Sequence, residues 1–168
     1  MGEHRVGSVL EICEHGIGHP DPDDMAYRIS IGILEAGVHG CDGCCDCRCC
    51  GGRSGGGGGG RGVGSAEAFA PLEELAGLLG GVVGCSRAVT NNGWRNHTDQ
   101  VGQTGTRIAP DLYMACGISG AIQHWVGAMA SKKILAINTD PEANMVTKAD
   151  YAVIGDLHKV IPAITAEI

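Results

Sequence analysis

The sequence predicts an α/β fold, a parallel sheet with helices between its strands. Three observations point there. Short apolar runs at Val82–Cys85, Leu112–Cys116, Lys133–Asn138 and Tyr151–Ile154 alternate with helical patterns, the signature of βαβ units. The 168 residues include one Phe and two Trp, so the core must come from Val, Ile, Leu and Ala, which suits a sheet buried on both faces. Glycine punctuates the ends of the runs, with 29 in the chain, well above its ordinary share of ~7%.

Residues 1–60 carry little periodicity. Val9, Leu10 and Ile12, and later Ile29, Ile31, Ile33 and Leu34, hint at short elements. Between them His15, His19, Asp21, Asp23 and Asp24 sit in a Pro-punctuated loop. That group reads either as a hard-metal site or, more plainly, as a solvated acidic loop. Six of the nine cysteines then fall between Cys41 and Cys50, which is not the spacing of a secreted disulfide framework. Cys41, Cys44, Cys47 and Cys50 recur every third residue, and four thiolates suit zinc or an iron–sulfur cluster. The short last gap and the following Gly51 depart from the ferredoxin run, so no metal is assigned. Eight of the ten residues from 51 to 60 are Gly, which reads as flexible coil, not strand. The expected division is an irregular leader over 1–60 and a folded domain over 61–168.

From Ser65 the order improves. Ser65 is a good N-cap with Glu67 in the first turn. Phe69, Leu72, Leu75, Ala76 and Leu79 recur at three and four, one face of a helix that Gly80-Gly81 stops. The run Val82–Cys85 is a strand, Ser86–Thr90 a turn or short helix, and Trp94–Asp99 a loop. Leu112–Cys116 is a strand with packing cysteines at its end and, like Cys85, Cys116 reads as a core residue. Ser119 to about Ala128 is a helix, with Ser119 a candidate cap. Lys133–Asn138 and Tyr151–Ile154 are strands, with Asp140-Pro141 a turn between them. Leu157–Val160 reads as a turn, and Pro162 as the first position of a last helix. Asp156 is a candidate cap for it.

Parallel sheets hold ligands at the carboxyl ends of their strands. The polar residues there are Ser86, Arg87, Ser119, Asn138 and Asp156. The stretch from Asp99 to His124 dominates, with glycine-rich turns at Val101–Gly105 and Gly117–Gly120. Such turns offer backbone N–H groups to a phosphate, a hydroxyl or a carbonyl. The net charge of −7 argues against a nucleic-acid groove. No apolar run approaches the ~20 residues that span a bilayer, and Met1–Val6 leads into no signal-peptide core. A soluble, cytoplasmic protein without membrane insertion is expected.

From Arg61 to Ile168 the chain resembles the C-terminal FAD-binding domain of the electron transfer flavoprotein α subunit. The blocks that carry the resemblance are Arg61–Ser65, Gly84–Arg87, Gln100–Gly105, Ala109–Tyr113, Gly117–His124, Ala136–Asn138 with Asp140–Glu142, and Ala149–Tyr151 with Gly155–Leu157. They run in the family's order and spacing. The resemblance implies a Rossmann-like (DHS-like) domain with FAD as cofactor. It places Arg61 near the pyrophosphate, and Ser86 and Arg87 by the flavin ring. Val101, Gly102, Gln103 and Thr104 would form the loop at the ring's redox edge, with the threonine hydroxyl near N5. Ser119, Gly120, Ala121, Ile122, Gln123 and His124 would wrap the ribityl chain and the pyrimidine side, with His124 at the C2 carbonyl. Asn138, Asp156 and Leu157 would lie along the adenosine half.

The resemblance further implies an electron carrier rather than an enzyme with a base or nucleophile. It would pair with a β-type subunit, accept electrons from flavin dehydrogenases such as acyl-CoA dehydrogenases and deliver them to a quinone reductase. In a eukaryote the setting would be the mitochondrial matrix, although no presequence is seen. The other reading is an FAD or adenine-nucleotide binding module without redox partners. Two departures from the family bear on this. Sixty unrelated residues stand where the family has an N-terminal domain, which reads as a truncated or rearranged copy. Glycines also replace the apolar strand before Arg61, so that strand is expected to be lost and Arg61 loosened.

Overall fold

The structure, a computed structural model, describes residues 55–168. Five strands form one sheet: β1 (Gly56–Gly59), β2 (Val82–Cys85), β3 (Leu112–Cys116), β4 (Lys133–Asn138) and β5 (Tyr151–Ile154). Their order is β2-β1-β3-β4-β5 and every pairing is parallel. Five helices connect and flank them: α1 (Ala70–Leu78), α2 (Arg87–Asn91), α3 (Ile122–Ala128), α4 (Asn144–Lys148) and α5 (Leu157–Glu167). The four apolar runs are strands with the expected bounds, and the α/β class holds. The cysteine cluster and the His15–Asp24 loop lie outside the described residues.

The glycine run overturns an expectation. Gly56–Gly59 is not coil but the strand between β2 and β3, with Gly57 beside Val83 and Met114, and Gly59 beside Cys85 and Cys116. Intrinsic preference disfavours a glycine strand by about 0.5–1 kcal/mol per residue. Pairing on both edges satisfies its N–H and C=O groups, and tertiary context overrides propensity. The neighbours fill the space its side chains would take. An added Cβ would fall 2.0 Å from the Tyr113 hydroxyl at Gly58 and 2.2 Å from the Phe69 ring at Gly59. Arg61 therefore follows directly from a paired strand and is not loosened by a missing one. Gly56–Gly59 thus belongs to the folded domain, ahead of the expected boundary at residue 60.

Alternation along β3 builds two cores. Leu112, Met114 and Cys116 face one layer with Leu72, Leu75 and Leu79 of the α1 region and Val160, Ile161 and Ile164 of α5. Tyr113 and Ala115 face the other with Ala128, Met145 and Val146. The face expected for the first helix is buried throughout at Phe69, Leu72, Leu75, Ala76 and Leu79. The cap position of the short 3-10 turn Glu67–Phe69 ahead of α1 is Ala66, not Ser65, although the Ser65 hydroxyl accepts from Ala68 N at 3.3 Å. Burial raises the thiols of Cys85 and Cys116, to about 11 and about 12, as expected of packing residues.

Three boundaries differ from expectation. Helix α3 starts at Ile122 with Ala121 in the cap position, so Ser119 does not cap it; the Ser119 carbonyl instead accepts from Met145 N at 3.1 Å. Helix α4 was not anticipated after the Asp140-Pro141 turn. Helix α5 starts at Leu157 and holds Pro162 inside it. There Asp156 supplies the start signal: its side chain accepts from His158 N at 3.0 Å, a stronger cue than proline at N1.

Candidate functional site

The strand order reverses direction between β1 and β3, and at such a switch point the two following loops separate and leave a crevice. Here a cleft of about 460 Å³ opens at the carboxyl ends of the strands. That is within the usual range for a small-molecule site, roughly 300–1,000 Å³. Backbone meets backbone at its floor. Gly60 N donates to Cys116 O at 2.8 Å and Gly62 N to Gly117 O at 3.2 Å. A Cβ at Gly60 would lie 2.1 Å from the Gly117 carbonyl oxygen, and Gly117 itself turns with φ +64°. Glycine at both positions lets the loops after β1 and β3 touch.

The loop after Asp99 forms one wall. Val101 N donates to Cys85 O at 2.9 Å, Thr106 N to Gln100 O at 2.7 Å, and Gln103 N to Gln123 O at 2.7 Å. The loop is thereby tied to the end of β2 and to α3. Gln100, 5% exposed, holds the next layer: its Nε2 donates to Thr104 Oγ1 at 3.0 Å and its Oε1 accepts from Thr90 Oγ1 at 3.1 Å. Across the cleft, Asn138 braces the β3 loop by donating to Ile118 O at 3.0 Å and accepting from Asp140 N at 3.1 Å.

The cleft gathers Arg61, Ser86, Arg87, the Val101–Thr104 loop, the Ser119–Ala121 turn, Gln123, His124 and Asn138. Three expected residues lie outside its lining. Ile122 is 67% exposed at the start of α3. The Asp156 carboxylate is engaged in capping α5, and Leu157 is buried beneath the Gly117 turn, where a Cβ on Gly117 would meet its Cδ2 at 2.9 Å. The single cluster of strand-end polar residues therefore extends over β2, β3 and β4 but not to Asp156.

Charge and burial give the cleft its character. Arg61 and Arg87 are exposed, and neither forms an ion pair among the described residues, where the four pairs use Arg95, Lys132 and Lys133. Two unneutralised guanidiniums at one mouth favour an anion. His124 is 6% exposed. Burial pushes its pKa down to about 4, partly offset by the Val101 main chain. Its Nε2 is 2.8 Å from the Tyr113 hydroxyl. Its Nδ1 is the one buried side-chain nitrogen or oxygen among the described residues without a hydrogen-bond partner. A buried polar atom without a partner is rare enough in a folded protein to call for an explanation.

Gln100 and Tyr113 are the site residues that sequence reasoning passed over. The usable signal was chemical: a tyrosine inside an apolar strand needs a partner for its hydroxyl, and Gln100 precedes the glycine loop where a buried amide can brace it.

Residues 58–129 match the family described as the electron transfer flavoprotein FAD-binding domain. The electron transfer flavoprotein subunit alpha of Bacillus subtilis is 54% identical over 107 residues, covering 64% of this chain and 33% of that protein. That of Paracoccus denitrificans is 54% identical over 108 residues, covering 64% and 35%. The mitochondrial subunit alpha of Dictyostelium discoideum is 53% identical over 108 residues, covering 64% and 30%. The chain thus spans about a third of the length of the curated relatives it matches. Among the described residues, no helix is long and apolar enough to cross a membrane.

Proposed function

We propose, from the match of residues 58–129 to the electron transfer flavoprotein FAD-binding domain, that the chain is an electron-carrying subunit holding FAD along the cleft between β1 and β3. The observation that carries this is the cleft's donor set: two exposed guanidiniums without carboxylate partners, and one buried imidazole nitrogen without any partner, among the described residues. FAD offers the matching groups, an anionic pyrophosphate and a ring edge of carbonyl oxygens. Arg61 would hold the pyrophosphate. Ser86, Arg87, the Val101–Thr104 loop, the Ser119–Ala121 turn, Gln123 and His124 would surround the ring and the ribityl chain, and Asn138 the adenosine side. Ile122, Asp156 and Leu157 would act from outside the lining, the last two by shaping the end of the cleft.

When bound, FAD supplies the redox chemistry; the protein supplies position and electrostatics. The Arg87 guanidinium places positive charge where reduction adds negative charge, which raises the affinity for electrons. Gln100 holds the Thr104 hydroxyl, so that hydroxyl is presented in a fixed place. His124 is neutral across the physiological range because burial depresses its pKa, and it acts as a hydrogen-bonding group, not as a cation.

The proposal extends to partners. A β-type subunit would complete the carrier, flavin dehydrogenases such as acyl-CoA dehydrogenases would donate electrons, and a quinone reductase would accept them. The setting would be the cytoplasm, or the mitochondrial matrix in a eukaryote. The test is anaerobic mixing of the FAD-loaded chain and a β-type subunit with a substrate-reduced acyl-CoA dehydrogenase, followed at the flavin absorption band. Bleaching within the dehydrogenase's turnover time is expected. A chain that keeps FAD but never bleaches would leave only the binding-module reading standing.

A further inference from the structure

We infer that Tyr113 is a positioning residue, whose hydroxyl donates to His124 Nε2 and holds the imidazole in the neutral tautomer that carries its proton on Nδ1. The inference comes from counting donors and acceptors around one buried pair. Tyr113 is fully buried, and its hydroxyl lies 2.8 Å from His124 Nε2. That nitrogen is the partner of the hydroxyl among the described residues. His124 Nδ1 has no hydrogen-bond partner among the described residues, and the Val101 main chain beside the imidazole favours a proton on the ring.

Two arrangements are open to the pair. If Tyr113 donates, its proton and the Nε2 lone pair are both satisfied, and one group is left over, an Nδ1–H donor. If Nε2 donates instead, the tyrosine proton has no acceptor and the Nδ1 lone pair has no donor. Each buried group left unmade costs about 1–3 kcal/mol, so the second arrangement carries one such cost more than the first. A neutral imidazole has one donor and one acceptor nitrogen, and the bond made by one decides the role of the other. Tyr113 thus converts His124 into an N–H donor on the wall of the cleft.

The glycine strand makes room for this. The Tyr113 hydroxyl sits where a side chain on residue 58 would begin, 2.0 Å from the position of a Cβ there. Ala115 follows Tyr113 on the same face of β3, and α3 brings His124 over it. The ring centroids are 6.1 Å apart and the planes tilt by 32°.

What the Nδ1–H is for rests on the flavin reading: a carbonyl or anionic oxygen of the bound ring would accept it. The tautomer itself does not rest on that reading, and the experiment separates the two. The full chain is labelled with ¹⁵N-histidine and examined without FAD at neutral pH by long-range ¹H–¹⁵N correlation, which distinguishes the two neutral tautomers. Among the seven histidines, His124 is identified by the signals lost in His124→Gln. An Nδ1–H pattern for His124 in the wild type is expected, with that pattern lost in Tyr113→Phe. An Nε2–H pattern in the wild type, or an Nδ1–H pattern that survives in Tyr113→Phe, overturns the assignment. The wild-type spectrum decides the donor direction whatever the stability of the variant.

Discussion

Replacing Gly57 and Gly59 by alanine, one at a time, separates a glycine strand from a glycine coil. A Cβ at Gly57 meets only Val83 Cγ2, at 3.6 Å, an ordinary contact. The position borders an apolar crevice of about 10 Å³ lined by Leu72, Leu75, Leu79 and Met114, at the lower limit for holding a water. One buried methyl contributes about 0.8 kcal/mol, and removing a glycine from a strand about 0.5–1 kcal/mol more. Gly57→Ala should therefore stabilise by about 1.5 kcal/mol, or raise the unfolding midpoint by about 6 °C. At Gly59 the new Cβ would fall 2.2 Å from Phe69 Cε1. Phe69 is 2% exposed and has the Arg95 guanidinium over its ring at 5.2 Å, so the ring has nowhere to go. Overpacking of this kind costs about 1–3 kcal/mol. Thermal unfolding followed by far-ultraviolet circular dichroism, on flavin-free protein to remove ligand stabilisation, should move in opposite directions for the two variants. Midpoints that shift together, within the ~0.5 kcal/mol of an ordinary surface change, would refute the strand.

Other predictions concern the site. Arg87→Ala should lower the flavin reduction potential by removing positive charge beside the ring. Because Arg87 is exposed, the charge is screened to about 1 kcal/mol, or about 20 mV for a two-electron couple; an unchanged reductive titration would contradict the assignment. His124 should make stability depend on pH. Its folded pKa is about 4 against an ordinary 6.5, so between those values the unfolded chain takes up a proton that the fold refuses. The contribution is therefore full above pH 6.5 and lost as pH falls through about 4, amounting to as much as about 3 kcal/mol. Urea unfolding at several pH values should show that slope in the wild type and a shallower one in His124→Gln; equal slopes would exclude it.

Much of this was legible in the residues. Apolar runs marked four strands, because burial on both faces of a parallel sheet demands continuous aliphatic sequence. The spacing from Phe69 to Leu79 marked the helix face that packs on them. The cleft residues were legible as ordered blocks, since the turns that build the cleft need glycine at Gly60, Gly102, Gly117 and Gly120. The fifth strand was not legible, because a glycine run has no side-chain pattern, and only its neighbours' ladders and the rings of Tyr113 and Phe69 fix it. The Asp156 cap was legible but not the extent of α5, because proline suits a first helical position and here Pro162 lies inside the helix. Asp156 and Leu157, which the resemblance sets along the adenosine half, lie outside the cleft lining: one caps α5 and the other packs under the Gly117 turn.

The central claim is that the cleft between β1 and β3 holds FAD, and equilibrium titration of the full chain with FAD and with riboflavin tests it most directly. One FAD per chain is expected, bound more tightly than riboflavin, because Arg61 has no carboxylate partner among the described residues and riboflavin lacks the pyrophosphate. That preference should shrink in Arg61→Ala. A chain that binds neither flavin, alone or with a β-type subunit, would contradict the account.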